Sequence, residues 1–258
     1  MTSRTSTRPR LLAPLLAGAL LLTGCQTVPT QLEGAPQSTN ELADLHTKLG
    51  IGYLREGKLE LAWTRLKRAL EFDPSYSTAN NAMGLVYEQL GEPAKAEEHY
   101  LRAVESNPSD SAAQNNYGRY LCAIGRYQEA EQRFLQAVKN SLYETPEVAY
   151  ANAGVCARSE GDIDKAEAYL RTALERNPRL PTALLAMAEV SYERKRYLSS
   201  RAYLQRFLEV GRHNSQSLWL GIRVERELGD KNAESSYAML LKSNFPDSRE
   251  TQLLESGQ

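Results

Sequence analysis

The strings LGIGYL (49–54), MGLVYE (83–88) and YGRYLC (117–122) begin 34 residues apart in succession. NAGVCA (152–157) carries the same pattern after a short insertion. A fixed period of this size commits a chain to stacked units, each burying its apolar face against the next. After every string come a turn and an alanine-centred phrase. GKLELAWTRLKRALEFDP (57–74), GEPAKAEEHYLRAVESNP (91–108) and GDIDKAEAYLRTALERNP (161–178) are variants of one sentence. Their apolar residues recur at helical spacing. The unit is therefore a helix A, a turn and a helix B, and no β-strand is needed anywhere.

This spacing resembles the tetratricopeptide repeat, a helix–turn–helix unit of 34 residues. The interlocking positions are Leu49, Gly50, Tyr53, Ala62, Leu66, Ala69 and Pro74 in the first unit. Met83, Gly84, Tyr87, Ala96, Tyr100, Ala103 and Pro108 take their places in the second. Gly118 with Ala130, and Gly154 with Ala166, continue the pairing, while the fifth unit is weaker, with Met187, Ala188, Leu204 and Phe207. Gly221, Ala233 and Tyr237 mark the sixth. A glycine such as Gly84 sits where helices A and B cross and a Cβ would push them apart. A glycine such as Gly91 ends helix A, where a left-handed residue costs least as glycine. Pro74, Pro108 and Pro178 stop helix B. The expected fold is all-α: a right-handed superhelix of six repeats over 43–246, at about 43–76, 77–110, 111–146, 147–180, 181–213 and 214–246, with a tail at 247–258 that frays or caps the last repeat.

The first 24 residues read as a leader. Arg4, Arg8 and Arg10 precede the 12-residue apolar run LLAPLLAGALLL. A helix of that length covers roughly 18 Å, short of the hydrocarbon core of about 30 Å, so a signal peptide fits better than a spanning helix. Leu22-Thr23-Gly24-Cys25 resembles the bacterial lipobox, which implies cleavage before Cys25 and lipid on its thiol. Gln26 follows, and by resemblance to the sorting rule of enteric bacteria this favours the outer membrane, on its periplasmic face. Residues 25–42, polar and rich in Pro, Thr and Gln, read as a tether. Without the leader, 28 basic residues face 32 acidic ones, which gives no reason to expect nucleic acid.

Helix A of such a solenoid lines the concave face. In this register its outward apolar residues include Ile51, Leu54, Leu85, Val155, Leu185, Tyr192, Leu218 and Ile222, with the polar Thr47, Asn81, Asn115, Glu189 and Glu225 among them. An apolar groove of this kind holds a peptide or a partner helix. Thr47 and Ile51 replace the Lys and Asn of the chaperone-type carboxylate clamp, so that clamp is not expected. His46, His99 and His213 are scattered, and no HExxH, phosphate loop or GxSxG occurs. No enzyme activity, cofactor or metal is expected. Cys122 and Cys156 lie 34 residues apart on adjacent A helices. Export would place them in an oxidising compartment, where they are either bridged or two buried thiols.

NNYGRYLCAIGRYQEAEQRFLQAV (115–138), LYETPEVAYANAGVC (142–156) and SLWLGIRVERELGD (217–230) are not generic repeat consensus. With the lipobox they resemble the type IV pilus biogenesis lipoproteins of the PilF/PilW family, the pilotins. That resemblance implies an outer-membrane lipoprotein of six repeats that reaches the membrane by the lipoprotein transport machinery. It also implies that the protein binds the pilus secretin and promotes its localisation and multimerisation. Paired cysteines at such places recur in relatives, which tilts Cys122 and Cys156 towards a bridge. The rival reading is a periplasmic tetratricopeptide adaptor for peptidoglycan enzymes or for outer-membrane protein assembly.

Overall fold

The computed structural model describes residues 39–257. The leader, Cys25 and most of the tether fall outside them. Among the described residues there are thirteen helices and no strand. Twelve form the A–B pairs: α1 (Thr39–Arg55) with α2 (Leu59–Phe72), α3 (Ser77–Gln89) with α4 (Pro93–Ser106), and α5 (Ser111–Ala123) with α6 (Tyr127–Lys139). The pairs continue as α7 (Pro146–Glu160) with α8 (Ile163–Arg176), α9 (Pro181–Glu193) with α10 (Tyr197–Leu208), and α11 (Ser215–Leu228) with α12 (Lys231–Asn244). At the start of the solenoid the structure differs from the sequence reading, and at its end the tail takes the second of its two expected forms, a cap on the last repeat. Helix α1 begins at Thr39, inside the stretch read as tether. The tail contains α13 (Arg249–Glu255), which packs on α11 and α12 and buries Thr251.

Each pair is set by one close crossing. A Cβ on Gly84 would stand 2.7 Å from the ring of Tyr100, and one on Gly154 would stand 2.6 Å from Cγ of Leu170. Tyr100 and Leu170 are fully buried, as are Ala96 and Ala166 on the same helices. The small residue on A admits the large residue on B, and together they fill the crossing without a void. In the fifth pair Ala188 replaces the glycine and Ser200 the alanine. The buried Ser200 hydroxyl is satisfied by donating to the Ala188 carbonyl at 2.7 Å, so a polar residue holds an apolar position without an unpaired group.

Stacking follows the same economy. Each A helix packs closely on the next A helix, whereas neighbouring B helices lie further apart and meet only through long side chains such as Lys165 and Tyr169 on Glu131, so the A helices form the inner layer and the chain curves around them. Met83, Tyr117, Ala153, Met187 and Leu220 are each 3% exposed because the preceding repeat covers them, while Leu49, at the equivalent place in the first repeat, is 40% exposed. Buried asparagines stitch the inner layer: Asn116 donates to Asn81 at 3.1 Å and Asn152 to Asn115 at 3.0 Å. Asn81 and Asn115 are therefore part of the packing and not a free outward surface.

The turn after helix A repeats its geometry. Gly161, at φ 95°, donates to the Arg158 carbonyl, and Asp162 to that of Ala157. In the fifth repeat Lys195 occupies this place at φ 59°, with the same pair of bonds to Tyr192 and from Arg196 to Ser191. A side chain in the left-handed region costs roughly 1–2 kcal/mol, part of which glycine returns as unfolded-state entropy. Lys195→Gly should therefore raise the unfolding free energy by about 0.5–1 kcal/mol in urea denaturation. A decrease would show that the lysine side chain contributes more than its backbone costs.

Candidate functional site

The concave face is built from helix A positions near each crossing: Ile51, Leu85 and Val155 lie one residue after it, Leu54 and Tyr192 four after it, and Leu185 three before Ala188. Ile51, Leu54, Leu85, Val155, Leu185 and Tyr192 are all half-buried there: packed at the base, open at the tip. They do not form one continuous strip. Ile51 and Leu54 flank the core of the first two repeats, and Leu85 packs on that of the second and third. Val155, Leu185 and Tyr192 belong to the core of the last three. Between the two groups Arg119 grips Glu88 with two bonds of 2.9 Å, and the Tyr100 hydroxyl donates to the same carboxylate at 2.7 Å. Burial and that carboxylate push the Tyr100 hydroxyl well above its usual pKa.

Leu218 and Ile222 do not line the groove. Both are fully buried with Leu241, and Phe245 and Leu254 pack on them. They are core residues of the last repeat, covered by the end of α12 and by α13. Here α13 packs on α11 and α12 and takes the face that an internal repeat would expose. The groove residues of α11 are instead Trp219 and Arg223, one position further along. Thr47 and Glu225 are buried too; Thr47 donates to the Ala43 carbonyl at 2.7 Å, and Glu225 is paired with Arg201.

Two adjoining clefts lie along the concave face of this C-terminal half. A cleft of about 320 Å³ is lined by Val155, Leu185, Arg158, Glu189, Gln216 and Phe207, among others. A neighbouring cleft of about 200 Å³ shares Arg158, Glu189 and Gln216 and adds Tyr192, Trp219 and Arg223. Glu189, 8% exposed, forms the floor between them. It receives Arg158 and Gln216, each at 2.5 Å, and Arg158 also pairs with Glu193 at 2.8 Å. Burial raises the pKa of Glu189 and the Arg158 charge opposes that rise. A buried carboxylate held by two donors fixes the rotamers of the groove wall and leaves the apolar tips pointing into the cleft. Among the described residues no cluster of His, Cys, Asp or Glu has the makings of a metal site, and no helix is long and apolar enough to cross a membrane. The groove is suited to gripping an extended or helical segment through apolar contact with a polar floor.

Cys122 and Cys156 are joined by a disulfide, with Cα atoms 5.7 Å apart. The pairing works because Cys122 lies four residues after Gly118 whereas Cys156 lies two after Gly154. Two residues turn a helix through roughly 200°, so the thiols occupy facing sides of neighbouring A helices. Cys25 lies outside the described residues.

Tetratricopeptide repeat models match residues 52–91, 81–146 and 157–218. The type IV pilus assembly protein PilF of Pseudomonas aeruginosa is 34% identical over 235 residues, spanning 91% of this chain and 93% of that protein. A solved structure of Pseudomonas aeruginosa PilF superposes with a TM-score of 0.76 at 34% identity, over 85% of this chain and 99% of the other. The crystal structure of PilW, described as a widely conserved type IV pilus biogenesis factor, gives 0.76 at 28% identity over the same shares.

Closing a loop of 34 residues removes unfolded-state entropy equivalent to about 3–4 kcal/mol in the chain-entropy model. Cys122→Ala with Cys156→Ala should lower the unfolding free energy by about 2–4 kcal/mol while leaving the helical circular dichroism unchanged. An unchanged urea midpoint would show that the bridge adds nothing to stability.

Proposed function

The chain belongs to the PilF/PilW family of type IV pilus tetratricopeptide-repeat proteins, and from that premise we propose that it is the pilotin of a type IV pilus secretin. In this reading Cys25 carries the lipid, residues 26–38 and the start of α1 link it to the solenoid, and the lipoprotein transport machinery delivers it to the periplasmic face of the outer membrane. The concave groove holds a segment of the secretin protomer during that transfer and releases it into the multimeric ring. The protein is a carrier and not an enzyme: its work is to bind, and the groove supplies binding energy from apolar contact.

The observation that supports this most is the coincidence of two facts. The relatedness to PilF runs across nearly the whole chain, so it takes in the helices that build the groove. The groove's apolar tips at Val155 and Leu185 stand half-open around a formed cleft. Apolar side chains kept open in this way fit a face that a protein partner covers.

Val155→Glu with Leu185→Glu places two charges where the partner's apolar side chains would sit. Co-precipitation of the secretin from envelope extracts should fall at least about tenfold, with helical content unchanged, since two buried charges exceed the ~1.4 kcal/mol that a tenfold loss requires. Cys25→Ala should leave capture intact and leave the secretin away from the outer membrane. Full capture by the double variant, or recovery of peptidoglycan hydrolases without secretin, would favour the adaptor reading.

A further inference from the structure

The C-terminal end of the groove carries an unbalanced charge. The cleft at Tyr192, Trp219 and Arg223 opens outward into a second of about 400 Å³, lined by Tyr192, Trp219, Arg223, Arg226, Glu227, Arg249 and Leu253. Of its three arginines Arg226 is paired with Glu234, which leaves Arg223 and Arg249, and its one glutamate, Glu227, is engaged by the Tyr197 hydroxyl. The other arginines of the concave face are matched: Arg119 with Glu88, Arg158 with Glu189 and Glu193, Arg226 with Glu234. Arg223 is not. Its guanidinium lies over the Tyr192 ring, 4.1 Å from the centroid, and among the described residues it makes no ion pair. Arg249, in the first turn of α13, makes none either. A cation in the first turn of a helix opposes the helix dipole, so α13 gains nothing from that charge locally.

The geometry points to an anion subsite at this end of the groove, and we propose that it takes an acidic residue of the partner segment flanked by an apolar one. A guanidinium stacked on an aromatic ring is held in one plane with its edge donors free, the arrangement that meets a carboxylate in two parallel bonds. Tyr192 supplies that plane for Arg223, Arg249 brings a second positive charge to the same cleft, and Trp219 and Leu253 supply apolar surface beside them. Charge complementarity favours an acidic segment over a basic or neutral one, and it fixes which end of the segment lies at α13. The inference rests on the reading that the groove receives a protein segment, and goes beyond it by naming the chemistry of one end.

The test uses the purified protein and three short labelled peptides, amidated at the C-terminus, that alternate leucine with aspartate, asparagine or lysine. Fluorescence anisotropy should show the aspartate peptide binding at least about tenfold more tightly than the asparagine peptide, with the lysine peptide weakest. That preference should shrink as salt is raised. R223Q with R249Q should abolish the preference, so that the variant binds the aspartate and asparagine peptides equally. Equal binding of the aspartate and asparagine peptides, or a preference that survives R223Q and R249Q, overturns the subsite and leaves the groove reading standing. Failure of all three peptides to bind overturns the subsite as well. If V155E with L185E also leaves secretin capture intact, the groove reading falls with it. Capture of phosphatidylglycerol vesicles that depends on Arg223 and Arg249, with no peptide preference, would assign the arginines to lipid and overturn the proposal.

Discussion

Everything in this solenoid depends on how closely helix A approaches helix B. At Gly84 and Gly154 there is no room for a single additional carbon, because Tyr100 and Leu170 already occupy the space. The crossing is what gives each pair a rigid shape. Rigid pairs can then stack with a constant offset, and the offset accumulates into curvature. The inner layer is made of A helices because successive A helices approach each other more closely along the stack than successive B helices do. A concave face is thus the geometric result of a local steric rule repeated six times, and whatever lies on the exposed side of helix A becomes a groove.

The groove in turn is not uniform. Its middle is tied up by the bonds between Asn116 and Asn81, Asn152 and Asn115, and Arg119 and Glu88. These bonds fix the relation of neighbouring repeats and leave little free binding surface. The ends are different. Ile51 and Leu54 are open at the first repeat, and Val155, Leu185, Tyr192 and Trp219 surround clefts at the last three. The disulfide between Cys122 and Cys156 joins α5 to α7 next to the boundary between these regions. Stiffening there keeps the two halves of the groove in one geometry, which suits a carrier that must present the same surface each time it binds.

The fold was legible in the sequence because its steric rule forbids alternatives: a glycine or alanine recurs wherever two helices cross. The fifth repeat was faint because Ser200 and Lys195 stand in for the usual alanine and glycine, and each is accommodated by its own hydrogen bonds. The half-buried positions of helix A were legible everywhere but in the last repeat. Extending the internal register to α11 selected Leu218 and Ile222, which α12 and α13 cover; Trp219 and Arg223 took their place. The SLWLGIR string held the signal, since an aromatic and a cation at that spacing share one helix face. No periodicity could show it, because α13 lies outside the repeat. The burial of Asn81 and Asn115 was hidden for a related reason: a polar residue on helix A reads as outward until its cross-repeat partner is known.

A carrier that grips its partner in the concave groove must touch that partner with helix A and not with helix B. The most direct measurement is photo-crosslinking in living cells. A benzophenone amino acid would replace Leu85 or Leu185 on the concave face, or the exposed Leu101 or Leu135 on helix B. The adducts would then be identified by mass spectrometry. Secretin adducts from Leu85 and Leu185, with none from Leu101 or Leu135, are the expected result. Secretin adducts from the helix B positions alone would contradict it and place the partner on the convex side.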